Sequence, residues 1–140
     1  MFPQIYSNTN KLCWENLDIN YPSDYKQLVN GYRAFGIDEF VWIISPFSQN
    51  DLFNQKKAAE RENKGLIALG GTENSDELFW FVNNHYWSII VYQARSDIYY
   101  KYDMELSKFL YKLIKKEMIC PCFPDNFPSE HVILESLDKL

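Results

Sequence analysis

Leu78-Phe79-Trp80-Phe81-Val82-Asn83-Asn84-His85-Tyr86-Trp87-Ser88-Ile89-Ile90-Val91-Tyr92 decides the fold. Two aromatic and β-branched runs, Leu78 to Val82 and Trp87 to Tyr92, flank four residues that read as a turn. Such side chains suit the pleated surface of a sheet, and asparagine tolerates the left-handed backbone of tight hairpin turns. Strands this close pair antiparallel, because a parallel return needs a long crossover. Leu66 to Leu69 adds a short strand before the pair. Ile98 to Tyr102 adds another after the polar turn Arg95-Ser96-Asp97. Tyr99 and Tyr100 are neighbours on that last strand, so one of them faces away from the core.

Upstream, Phe40-Val41-Trp42-Ile43-Ile44-Ser45, ended by Pro46, reads as a fifth strand buried on both faces or nearly so. Pro22 opens a helix whose apolar face is Tyr25, Leu28, Val29 and Tyr32, at i, i+3, i+4 and i+7, and Gly36 breaks the pattern. Trp14 and Leu17 anchor an otherwise polar start. Asn50 and Asp51 are candidate caps for a polar surface helix reaching about Asn63, with Ala58 and Ala59 as its thin apolar side. Downstream, Asp103 caps the most amphipathic helix, with Leu106, Phe109, Leu110, Leu113 and Ile114 as its buried stripe. Ser129 caps an expected last short helix carrying Ile133, Leu137 and Leu140. The order predicts an α+β fold: an antiparallel or mixed sheet of about five strands flanked by helices.

The chain of 140 residues suits one domain, with its core at about residues 20–115 and a proline-rich tail over 119–140. Ten Phe, ten Tyr and four Trp supply much of its buried area. A formal charge of -5 argues against nucleic-acid binding, which needs a basic face, and suits a basic protein partner. No run of 18 apolar residues predicts a membrane span, and the start lacks a basic segment followed by an apolar one, so no secretory signal is expected. Three cysteines without framework spacing point to a reducing cytoplasm.

Catalysis needs converging groups: a nucleophile, a base and something that orients the base. The two histidines, His85 and His131, lie beside no nucleophile motif, and Gly70-Gly71 precedes no helix-forming run. Nineteen acids make carboxylate pairs common by chance. Cys120-Pro121-Cys122 with His131 lacks the second paired motif that structural zinc wants, so these read as ordinary loop thiols, and Cys13 beside Trp14 reads as a small buried hydrophobe. No catalytic residue, metal or cofactor is expected.

Two acidic loops stand out. Asp38 and Glu39 lie between the first helix and the first strand, and Glu73, Asp76 and Glu77 lie before Leu78. At one end of the sheet they would form an acidic lip; apart, they are solvated turns. Exposed tyrosines beside acids make a reasonable protein-binding surface.

Three stretches, in order, resemble the SUKH superfamily of Smi/Knr-like domains. Tyr21-Pro22-Ser23-Asp24-Tyr25-Lys26 looks like the family's helix opening. Gly36 to Pro46 is similar to its glycine turn and first core strand. Leu69-Gly70-Gly71-Thr72-Glu73-Asn74-Ser75-Asp76-Glu77-Leu78-Phe79-Trp80 is similar to its turn and following strand, with Ser75 where the family often has glycine. Locally, Thr72, Asn74 and Asp76 are suited to hydrogen-bonding their own turn. The resemblance implies a non-catalytic immunity protein of a polymorphic or contact-dependent toxin system, binding a cognate toxin such as a nuclease. Asp38, Glu39, Glu73, Asp76 and Glu77 would be its contacts. An intracellular scaffold or regulatory domain is the alternative, and a small hydrolase a third class.

Overall fold

A computed structural model describes residues 12–17, 19–47 and 65–137. A 3-10 turn, Trp14–Asn16, precedes α1 (Ser23–Tyr32). Then come β1 (Phe35–Ile37), β2 (Val41–Ile43), β3 (Leu66–Thr72), β4 (Glu77–Asn83), β5 (Tyr86–Gln93) and β6 (Ile98–Tyr102). After them α2 (Leu106–Ile114) and β7 (Leu134–Ser136) complete the described elements. The strands form one sheet in the order β6-β5-β4-β3-β2-β1-β7, antiparallel at every pairing. No helix among the described residues is long and apolar enough to cross a membrane.

The hairpin forms as its residues dictate. Asn84 and His85 both take positive φ, 49° and 69°, so that Asn83 pairs with Tyr86 and the twist of the turn matches that of the strands. Alternation then divides the sheet. Leu78, Trp80, Ile89 and Val91 join the main core under the helices, while Phe79 and Ile90 pair on the opposite face. From α1, Tyr25, Val29 and Tyr32 enter that core; from α2 come Leu106, Phe109, Leu110 and Leu113. Each large apolar side chain buried this way contributes about 1.5–3 kcal/mol. Tyr25 packs edge-on against Trp80, centroids 5.6 Å apart, and its hydroxyl donates to the Ile44 carbonyl at 2.5 Å. Burial, then neighbouring Tyr21, pushes that phenol's pKa well up, so it remains a donor. Tyr99 faces out and stacks on Tyr92 at 4.4 Å, while Tyr100 and Tyr102 pack against the core.

Two strands escape the sequence. Gly36, expected to end the helical pattern, lies inside β1, and α1 instead ends at Arg33 with φ 62°, a place where glycine is usual. The expected Phe40–Ser45 strand is shorter, because Phe40 belongs to the turn and donates to the Ile37 carbonyl at 3.0 Å. The expected helix after Ser129 is strand β7. The edge of β1 needs partners for its backbone groups, and the tail supplies them, Gly36 opposite Glu135. The same Ser129 donates its N–H to Asp38 at 2.7 Å. Leu140 and the Asn50–Asn63 helix lie outside the described residues.

The cap of α2 also differs. Glu105 stands at the N-cap position without a side-chain cap, and Asp24 of α1 accepts from the Ser107 N–H at 2.8 Å. One helix thus caps the other, which ties them together as well as satisfying an orphan donor. Asp103, the expected cap, accepts instead from the Ser88 hydroxyl at 2.7 Å and faces Lys101 at 3.5 Å. Chiefly that hydroxyl bond holds its carboxyl below the usual range.

β3 carries one extra residue. Its register with β4 shifts between Ala68 and Gly70, so Leu69 enters the core while its carbonyl accepts from Ile44 N at 2.9 Å. Beside this bulge the backbones nearly touch: a Cβ on Gly70 would lie 2.0 Å from the Trp42 carbonyl oxygen. Gly70→Ala is therefore expected to lower the urea unfolding free energy by roughly 1–3 kcal/mol or more. Gly36→Ala, whose added carbon meets only side chains at 3.7 Å, should stay within about 1 kcal/mol of wild type. Equal midpoints for the two variants would refute this account of the bulge.

Candidate partner interface

Cross-strand neighbours share a sheet face, and one row spans β7 to β4: Glu135, Gly36, Trp42, Gly71 and Glu77. The two glycines on either side of Trp42 carry no side chains beside the half-buried indole. The result is a concavity of about 490 Å³. Trp42, Val41 and Leu137 make its apolar lining, and Glu39, Glu73 and Glu135 bring carboxylates to it. No lysine or arginine lines it among the described residues.

Two turns and strand β7 deliver those glutamates. Asp38 and Glu39 form the β1–β2 turn, both at φ 54°. Aspartate tolerates that conformation, but glutamate adopts it at a cost of about 1–2 kcal/mol. The β3–β4 turn is held by Thr72, whose hydroxyl donates to Asp76 Oδ2 at 2.9 Å and accepts from Asn74 N and Asp76 N, both at 3.3 Å. Ser75, at φ 66°, occupies the left-handed position there. The turns are joined directly: Glu73 N donates to the Phe40 carbonyl at 2.8 Å. Both acidic loops therefore lie at one end of the sheet.

The five acids divide. Glu39 and Glu73 are exposed and line the concavity together. Asp38 is occupied by the tail, accepting from Ser129 N and Ile133 N, each at 2.7 Å. Asp76 is 2% exposed and belongs to the Thr72 network. Glu77 starts β4 one strand beyond Gly71, half-buried and outside the lining. Reading the residues missed Glu135, because the tail was expected to be helical. The visible signals were the glycines at 36 and 71 and the polar Glu135 between Leu134 and Leu137.

The cysteines reverse their expected places. Cys13 is exposed, while Cys120 and Cys122, at the start of the tail, are buried. Burial pushes the Cys120 thiol up and the Cys122 thiol up to about 12, the latter aided by Cys120 itself. Burial and a hydrogen bond with Cys120 likewise raise the Tyr102 phenol. No group of three or more His, Cys, Asp or Glu among the described residues is arranged to hold a metal ion.

Comparison with protein-family models, with curated proteins and with solved structures gives no match.

Two outcomes follow from this geometry. Glu39→Gly and Ser75→Gly each relieve a left-handed side chain, so each should raise the unfolding free energy by about 1 kcal/mol in urea titrations. A loss of stability at both positions would show that the turns are unstrained. Of the three thiols, Cys13 should react with a disulfide reagent in the native protein, while Cys120 and Cys122 react only as the protein unfolds, because they stay protonated and covered. Rapid native labelling of all three would contradict the burial described.

Proposed function

We propose that the chain is a SUKH-like immunity protein that acts in the cytoplasm. In this reading it binds a cognate toxin of a polymorphic or contact-dependent system and covers the toxin's active site, without catalysis of its own. The observation that carries the reading is the acidic concavity, which glutamates from two turns and strand β7 line together with a half-buried tryptophan. A lysine or arginine from a basic partner fits such a site: its stem lies along the indole and its charge meets the carboxylates. Nucleases expose basic side chains where they hold phosphate, so an inhibitor that covers that region gains from an acidic surface.

Further support comes from the places of the three resembling stretches. Pro22 and Asp24 stand where α1 opens, and Thr72 to Asp76 hold the β3–β4 turn. These residues build the scaffold, and the glutamates beside them are left to meet a partner. Partner contact of this kind speeds encounter and weakens with salt.

Co-expression with the toxin domain encoded in the neighbouring reading frame tests the proposal, with calorimetry on the purified pair. Wild type should rescue growth. Glu39→Lys, Glu73→Lys and Glu135→Lys should each weaken binding about tenfold or more and flatten its salt dependence. Gly36→Val, which fills the concavity without changing charge, should weaken it too. Full rescue and unchanged affinity with all three charges reversed would rule out this face. Failure of the wild-type protein to protect would sink the immunity reading itself.

A further inference from the structure

A second concavity, of about 470 Å³, lies where the opening of α1 meets the β4–β5 hairpin. That volume falls within the ~300–1,000 Å³ of small-molecule sites. Its wall is aromatic. Trp87 packs against Trp80 with centroids 5.5 Å apart and against Tyr21 at 5.7 Å, and Tyr86 stands beside them at the hairpin tip. Asn20, Asp24, Lys26, His85 and Glu105 supply polar groups around it.

Two side chains in this lining each carry a buried polar atom that is unpaired among the described residues. Trp80 is 0% exposed, and its Nε1–H has no acceptor. Asp24 uses Oδ2 to cap α2, while its buried Oδ1 has no donor. A buried donor or acceptor left unpaired costs about 1–3 kcal/mol. Here one of each belongs to a side chain that lines the same cavity, which points to an occupant able both to accept and to donate.

The chemistry narrows the occupant. An anion would meet the Asp24 and Glu105 carboxylates. A cation has no acceptor for the Trp80 N–H, and it would meet the Lys26 ammonium, which is held nearby by Asn20 at 3.1 Å. A neutral hydroxyl satisfies both orphan atoms, since it donates and accepts. The aromatic wall asks for a flat C–H face. We propose that this concavity binds a neutral sugar ring, stacked against Trp87 and Tyr86, with one hydroxyl between Trp80 Nε1 and Asp24 Oδ1. Because both atoms are covered, rim side chains part to admit it; Tyr86, 52% exposed, is the one placed to move. The site shares no lining residue with the acidic concavity and does not depend on the immunity reading.

Indole N–H signals in a proton–nitrogen correlation spectrum provide the test, as the chain has four tryptophans and Trp80→Phe assigns one of them. Methyl glucoside, galactoside and mannoside are titrated separately, with adenine as the control that carries no sugar ring. The expected result is a saturable shift of the Trp80 signal by at least one glycoside, at about millimolar affinity, with the Trp42 signal still. Tyr86→Ala, at an exposed position that leaves folding intact, should weaken that binding about tenfold. Trp87→Leu should do the same. No saturable shift with any glycoside would overturn the proposal and leave the two atoms to a bridging water. A shift unaltered by Tyr86→Ala, or binding of adenine alone, would overturn it equally.

Discussion

The close approach of Gly70 to the Trp42 carbonyl is the constraint on which the rest of the sheet depends. β3 is the middle strand of seven, and it alone joins the β4–β5–β6 meander to the β2–β1–β7 half. That junction is short, three residue pairs between Val41–Ile43 and Gly70–Thr72. It closes only because position 70 has no side chain. The extra residue at Leu69 does the rest. It keeps Leu69 in the core, and beyond it Gly71 falls on the opposite face beside Trp42. One bulge therefore both joins the halves and clears the floor of the acidic concavity.

The carboxylates sort by length. Asp24, Asp38 and Asp76 are short, and each holds a turn or a cap: Asp24 accepts the Ser107 N–H of α2, Asp38 accepts N–H groups of the tail, and Asp76 accepts the Thr72 hydroxyl, which in turn accepts from the Asp76 N–H. A carboxylate one methylene from its backbone is held close to turns and helix ends, which is where aspartate is favoured. Glu39 and Glu73 have the extra methylene and reach away from the same turns. The acidic loops are thus two populations interleaved in sequence, one that makes the turns and one that the turns present.

Much of the fold was legible because local pattern decides it. The hairpin at Asn84-His85, the alternating strands around it, and the stripes of both helices follow from propensity and period alone. What was not legible depends on partners distant in sequence. Nothing near Asp103 says that the cap of α2 comes from Asp24, 83 residues earlier. Nothing near Leu134 says that β1 stands open to receive it. β1 was hidden for a related reason: glycine in an interior strand position is uncommon, and Gly36 sits in one, where an added Cβ would meet Glu135 and Leu137 only at an ordinary 3.7 Å. The acidic lip was legible as two loops; its third carboxylate was not, since it arrives on the misread tail.

That third carboxylate makes the site and the tail one unit. Asp38 takes both Ser129 N and Ile133 N, and its own N–H donates to the Ile133 carbonyl at 2.8 Å. Leu137 N closes the other end on the Ala34 carbonyl at 3.0 Å. Between these clasps β7 is only three residues long, so pairing with β1 alone would hold it weakly. The charged clasp therefore sets where Glu135 stands, and it sits next to Glu39 on a turn already forced into left-handed backbone. A partner that presses on Glu39 acts on the same turn that holds the tail. The proposed binding at the concavity would accordingly be coupled to order in the tail through Asp38, whose contacts are backbone contacts and so do not depend on which side chains the tail carries.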